Sequence, residues 1–163
     1  MIYRIRIILD VEEDVFRDIE IEATATLEDL HNTITDSFGF LGNEMASFYK
    51  SDDSWQQGDE LPLETIDQKS NMRNKRLNII FSSSQNNLIY IYDFLKMWTF
   101  YLELKELGEI VSGVSYPNLI NSQGEVPEKA PEKTFKSDSE NPFDIDGEVQ
   151  DDLGNDYDEN DFY

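Results

Sequence analysis

Residues 88–104 leave this chain few options. Leu88, Tyr90, Tyr92 and Phe94 alternate with Ile89, Ile91 and Asp93, and after a short break Trp98, Phe100, Leu102 and Leu104 alternate with Thr99, Tyr101 and Glu103. Period two over both runs is the pattern of half-buried strands, and the reading is a β-hairpin with residues 95–97 as its connection. Six aromatic rings along the two strands make this pair the largest source of apolar burial the chain has. Upstream segments have the composition to pack on it, and downstream segments do not.

The upstream pattern supplies the partners. Residues 2–10 alternate with Tyr3, Ile5, Ile7 and Leu9 on one face and Arg4, Arg6 and Asp10 on the other, and residues 15–23 place Ile19, Ile21 and Ala23 against Asp18, Glu20 and Glu22. The spacing predicts an antiparallel hairpin whose outer face is laced by opposite charges. Thr26-Leu27-Glu28-Asp29 has the form of a capping box. It opens a predicted helix with Leu27, Leu30, Ile34 and Phe38 on one face and Gly39 as its left-handed stop. His31, the only histidine, falls at the edge of that face and reads as a packing residue. Strands are also expected at residues 45–50, at 77–81 (Leu, Ile and Phe inward) and at 108–116 around Ile110-Val111, and residues 61–66 read as a helical turn or an edge segment. Asp52 and Asp53 beside Trp55 read as a solvated loop with one anchoring ring. Lys69, Arg73, Lys75 and Arg76 form the one basic cluster, short and without interleaved aromatics, suited to neutralising nearby acids or docking the chain's own tail.

Charge divides the chain. Residues 1–124 hold 21 acids and 10 bases and residues 125–163 hold 14 acids and 3 bases, so the final quarter carries half of the net −22. Pro117, Pro127 and Pro131 space the transition, and residues 137–163 contain 11 acids and no base. Such a segment cannot bury enough apolar surface to offset its ordering entropy, and disorder is expected there. The division expected is a folded domain over residues 1–120 and a linker with acidic tail over 121–163. A duplex or an anionic membrane would repel such a protein, and a basic protein surface would attract it.

Several chemistries are excluded on inventory. Without cysteine there is neither a disulfide framework nor a thiolate metal site, and one histidine is too few for zinc. Neither glycine-rich phosphate motif occurs. Asp144-Ile145-Asp146-Gly147 fails as a calcium loop, because Pro142 occupies the first ligand position and Leu153 the twelfth. No catalytic residue, cofactor or metal ligand is therefore assigned. The opening residues lack the apolar core and cleavage site of a signal peptide, and no apolar run approaches the ~20 residues of a membrane span, so a cytoplasmic monomer is expected.

Three features together resemble the plasmid pRiA4b ORF-3-like family, also labelled the insertion-element passenger TnpR family. They are the opening Tyr3-Arg4-Ile5 strand, the residue 26–31 helix start leading to Phe38-Gly39, and Tyr90-Ile91-Tyr92-Asp93-Phe94 followed by Trp98, covering about residues 1–120. Common members carry Tyr-Asp-Phe-Gly-Asp-x-Trp and a Glu-His after the Trp. Here Leu95 and Lys96 replace the Gly-Asp, and Thr99 and Phe100 replace the Glu-His; if the family's extra acid and histidine bind a ligand or metal, this branch has lost them and keeps Asp93 alone. The resemblance implies an α+β domain, a small mixed β-sheet with one main helix, ββα then further strands, similar to a β-grasp arrangement. It brings no activity with it. A serine recombinase, as the second label suggests, needs an arginine-surrounded serine and a basic DNA-binding helix that this acidic chain lacks.

Two functional readings follow. In the first, the tail's Phe143, Ile145, Val149, Leu153, Tyr157, Phe162 and Tyr163 anchor an acidic strand in a basic groove, with carboxylates steering the approach. That describes a non-enzymatic accessory or adaptor protein on a nucleic-acid-handling assembly such as RNA polymerase or the ribosome, without direct nucleic-acid contact. In the second, the tail only solubilises, and a pocket near Asp93 and Trp98 serves a small ligand or a hydrolysis.

Overall fold

The structure, a computed structural model, describes residues 1–65 and 71–131, all within one unit, Met1–Glu132. The described residues form strands β1 (Ile2–Leu9), β2 (Phe16–Glu22), β3 (Ala46–Ser51), β4 (Gln57–Pro62), β5 (Asn87–Tyr92), β6 (Trp98–Gly108) and β7 (Asn118–Gln123), with helices α1 (Leu27–Phe38) and α2 (Leu77–Ile80). One sheet holds the strands in the order β4-β3-β5-β6-β1-β2-β7. Each described pairing is antiparallel, which corrects the mixed sheet expected above. The reason is connectivity: β1–β2, β3–β4 and β5–β6 are sequence neighbours joined by short connections, which only antiparallel partners allow. The remaining strand direction follows. β2 and β3 run the same way with β1, β6 and β5 between them, so their connection must cross the sheet, and α1 makes that crossing. The fold is α+β and strand-dominated, and the narrower ββα, β-grasp-like arrangement is not clearly reproduced.

The central hairpin forms as its alternation requires, with Tyr92 paired to Trp98 at its closed end. Tyr90, Phe100 and Phe48 are fully buried on the face beneath α1, each contributing about 2–3 kcal/mol of apolar transfer. Phe94 departs from its expected inward position. Asp93 has φ 65, which ends the strand at Tyr92, two residues earlier than expected, and leaves Phe94 exposed. The helix start is the capping box anticipated, Thr26 Oγ1 accepting from Asp29 N at 3.2 Å and Asp29 Oδ2 from Thr26 N at 3.0 Å, and Gly39 closes the helix at φ 82. Its last turn carries no basic residue. Arg17 of β2 supplies the charge from outside: its buried guanidinium lies 4.8 Å from the Phe38 ring and donates to the carbonyls of Ser37, Phe16 and Gln123 at 2.9–3.0 Å. A cation placed there complements the helix dipole.

Two expected strands are corrected. Residues 77–81 are not a strand: Leu77, Ile80 and Phe81 are buried while Ile79 is exposed, because an i, i+3, i+4 spacing puts one face of a helical turn inward. Residues 108–116 are not the last strand either. Ile110 and Val111 are exposed, and the edge position beside β2 is taken by β7 instead. Beyond β7, Val126 and Ala130 pack against the core. Among the described residues no helix is long and apolar enough to cross a membrane.

Candidate functional site

Strand register assembles, on the face away from α1, a row that no continuous stretch of sequence contains. Glu60, Tyr49, Ile89, Tyr101, Ile8, Phe16 and Gln123 are successive partners, one from each strand in sheet order. Tyr49 and Phe16 are four strand spacings apart, about 19 Å. Trp55 joins the row from the β3–β4 loop. Its ring meets that of Tyr101 at a centroid distance of 5.1 Å, two strands from β3, so the indole reaches across β5 and helps keep Ile89 only 4% exposed.

Side-chain amides hold the loop in that position. Gln85 Nε2 donates to the Ser51 carbonyl at 2.9 Å, and Asn87 Nδ2 to the Asp52 carbonyl at 3.1 Å. Asp52 Oδ1 accepts from the amides of Ser54 and Gln56 at 2.9 and 3.0 Å. Trp55 itself sits at φ 63, a left-handed conformation uncommon for a bulky residue and tolerated where surroundings over-determine it.

Carboxylates stand at the ends of the rings. The Tyr101 hydroxyl donates to Asp10 Oδ2 at 3.4 Å, and burial followed by Asp10 holds its pKa up. Burial and then Glu60 do the same for Tyr49, so both hydroxyls stay protonated. At the Phe16 end the chain supplies its own cation: the Arg6 guanidinium lies 4.3 Å above the Phe16 ring and binds both Asp18 oxygens at 2.9 and 3.0 Å. The outward positions of β3 and β5, and of β6 from Thr99 to Glu103, hold no lysine or arginine. Rings flanked by carboxylates attract cations through the ring quadrupole and through charge.

A second feature lies beside α1. A polar cavity of about 280 Å³ is lined by His31, Asn32, Arg73 and Glu64 together with residues 42–46. Arg73 bridges Glu28 at 3.2 Å and Glu64 at 3.1 Å, the acid-neutralising role open to the basic cluster; Lys69 lies outside the described residues. His31 is buried, with Nδ1 2.5 Å from the Tyr90 hydroxyl. Burial pushes the Tyr90 pKa far up, so this hydroxyl donates, and His31 takes the tautomer that keeps its proton on Nε2. Burial, then Arg73, lowers the His31 pKa against the opposing pull of Glu28, Glu64 and the Gly42 backbone. His31 is thus a neutral, hydrogen-bonded core residue, as its place on the helix suggested.

Asp93 and Trp98 lie at the closed end of the hairpin in different roles. Asp93 Oδ1 accepts from the Leu95 amide at 3.1 Å and shapes the turn, whereas Trp98 is buried with its ring 5.1 Å from that of Phe40. Phe143, Ile145, Val149, Leu153, Tyr157, Phe162 and Tyr163, with the disorder expected of the tail, lie outside the described residues. Sequence reasoning noted Trp55 and its acids but missed Tyr49, Ile8, Phe16 and Glu60, which only the pairing brings together.

No curated protein matches the chain. Its fold is similar to the crystal structure of MM3350, a protein of unknown function from Methanosarcina mazei Go1, with a TM-score of 0.68 at 21% identity over 78% of this chain and 72% of that one. The family model described as plasmid pRiA4b ORF-3-like protein matches residues 1–162, beyond the 1–120 that the motifs cover. The chain therefore belongs to the pRiA4b ORF-3-like family.

Proposed function

We propose that this protein is a non-enzymatic, cytoplasmic accessory protein that recognises a basic protein surface on a nucleic-acid-handling assembly of the RNA polymerase or ribosome kind. The observation that carries this reading is the arrangement of charge: 14 acids against 3 bases after residue 124, with a ring-and-carboxylate row on the folded unit whose β3 and β5 positions hold no cation. The aromatic and aliphatic residues of the tail supply anchors, its carboxylates steer the encounter, and the folded unit sets specificity. Affinity capture of the full chain from its own cells at about 50 mM salt should retain one basic assembly and release it near 500 mM. A full-length variant with the 11 acids of residues 137–163 converted to amides should lose it. Recovery of the native protein alone at the lower salt overturns the reading.

A small-ligand reading is favoured by the cavity beside α1 more than by Asp93 and Trp98, since there Asn32, Arg73 and Glu64 converge around open space. A hydrolytic role has less support, because His31 is hydrogen-bonded to Tyr90 and the Gly42 backbone. Isothermal titration with small polar metabolites separates the two readings, as an accessory protein should bind none of them saturably.

A further inference from the structure

We infer that the cation the outer sheet row receives is an arginine side chain of an extended partner segment, bound on the rings of Tyr49, Tyr101 and Trp55. This rests on the accessory reading and names the chemistry of its docking face.

The molecule contains its own pattern for the contact. At the Phe16 end, the Arg6 guanidinium carbon lies 4.3 Å over a ring centroid and the group is bound by both oxygens of the neighbouring carboxylate. Four strands further along the row, Tyr49 is paired across the strands with Glu60, and β3 and β5 place no arginine or lysine on this face. The same ring-and-carboxylate combination is thus present with its cation to be supplied from outside. A planar guanidinium stacks on a ring while its edge binds a carboxylate, and an ammonium offers only a hydrated point charge. Charge also selects the partner: a net −22 chain disfavours a second copy of itself and favours a basic segment. The Trp55 loop adds shape, since an indole carried across β5 at φ 63 forms a wall beside the row.

The test uses the full chain and an oligoarginine peptide of about eight residues, long enough to span the row at ~3.3 Å per residue, with oligolysine of equal length as comparison. Isothermal titration, which needs no reporter at the substituted site, reads binding at about 150 mM salt. Oligoarginine should bind about tenfold more tightly than oligolysine, both to the native chain and to the variant with an amidated tail. Trp55→Ala should weaken oligoarginine about tenfold and Trp55→Phe should restore most of it. Glu60→Gln, on an exposed edge strand, should weaken it several-fold with an unchanged melting temperature. Equal affinity for the two peptides, or no response to Trp55→Ala and Glu60→Gln, overturns the inference. Loss of all binding on tail amidation overturns the row while leaving the tail's role standing, and an assembly still captured by the amidated variant, with peptide binding intact, does the reverse. A tryptophan fluorescence signal that shifts with protein concentration alone assigns the face to a second copy and also overturns the inference.

Discussion

Replacing Gly124 by alanine adds one carbon at the point where the chain leaves β7. That carbon would stand 2.3 Å from the Asp14 carbonyl oxygen, 3.0 Å from Val15 Cγ2 and 3.1 Å from Val15 Cα. Two of the three are backbone atoms, so relief requires the β1–β2 turn or the end of β7 to move. The backbone is also at φ 77, which costs a residue with a Cβ about 1–2 kcal/mol. Overpacking adds about 1–3 kcal/mol, for about 2–5 kcal/mol in all, a large share of the ~5–15 kcal/mol that holds a domain together. Gly113→Ala is the control: φ is 88 and nothing lies within 4 Å of the added carbon, so only the conformational cost of about 1–2 kcal/mol applies. Urea unfolding followed by the buried Trp98 should place the Gly124→Ala midpoint about 1 M or more below that of Gly113→Ala. Amide exchange should show where the damage lies, with the β2–β7 amides losing protection before those of β5 and β6. If the two variants unfold within about 0.5 kcal/mol of each other, the close approach of Gly124 to the β1–β2 turn is wrong.

Two further outcomes follow from side chains already placed. The His31 pKa lies below its ordinary 6.5, so its full contribution to stability is present above that value. As pH falls below it, the unfolded chain takes up a proton that the folded one resists, and stability should drop by at most about 1.4 kcal/mol per unit until the lower folded pKa is reached; His31→Gln should flatten this part of a urea-derived stability profile, and an unchanged profile contradicts the assignment. At the hairpin turn, Asp93→Asn keeps both a side-chain acceptor and a tolerance for φ 65, so it should unfold within about 0.5 kcal/mol of native, while Asp93→Ala should lose about 1–3 kcal/mol. Equal melting of the two variants in calorimetry would remove the turn role.

What the sequence revealed was whatever burial had stamped on one segment at a time. Tyr90, Tyr92, Trp98 and Phe100 face one core, so their alternation located β5 and β6; Thr26 and Asp29 interact within four residues, so the start of α1 was equally plain. Leu77, Ile79 and Phe81 fit period two as well as Leu77, Ile80 and Phe81 fit a helical turn, and a run of five residues cannot separate the two. β7 escaped for the opposite reason. As an edge strand it is exposed at nearly every position, leaving no period to read, and the apolar pair Ile110-Val111 drew the assignment upstream. The outer row is a property of register across seven strands, and the polar cavity of four separated segments, so neither has a local signature.

One consequence concerns synthesis. β1 is an inner strand, with β2 on one side and residues as late as Gly108 on the other. The first hairpin can close as soon as Glu22 has emerged, yet the second side of β1 has no partner until β6 is made. At ~5–20 residues per second that interval lasts about 5–20 s. For that time Ile5 and Ile7, which end fully covered, border an open strand edge, the kind of surface that pairs readily with another chain. A nascent molecule of this design therefore depends on crowding partners being kept away from its first strand, and substitutions that slow elongation between residues 23 and 98 should raise aggregation without altering the finished fold.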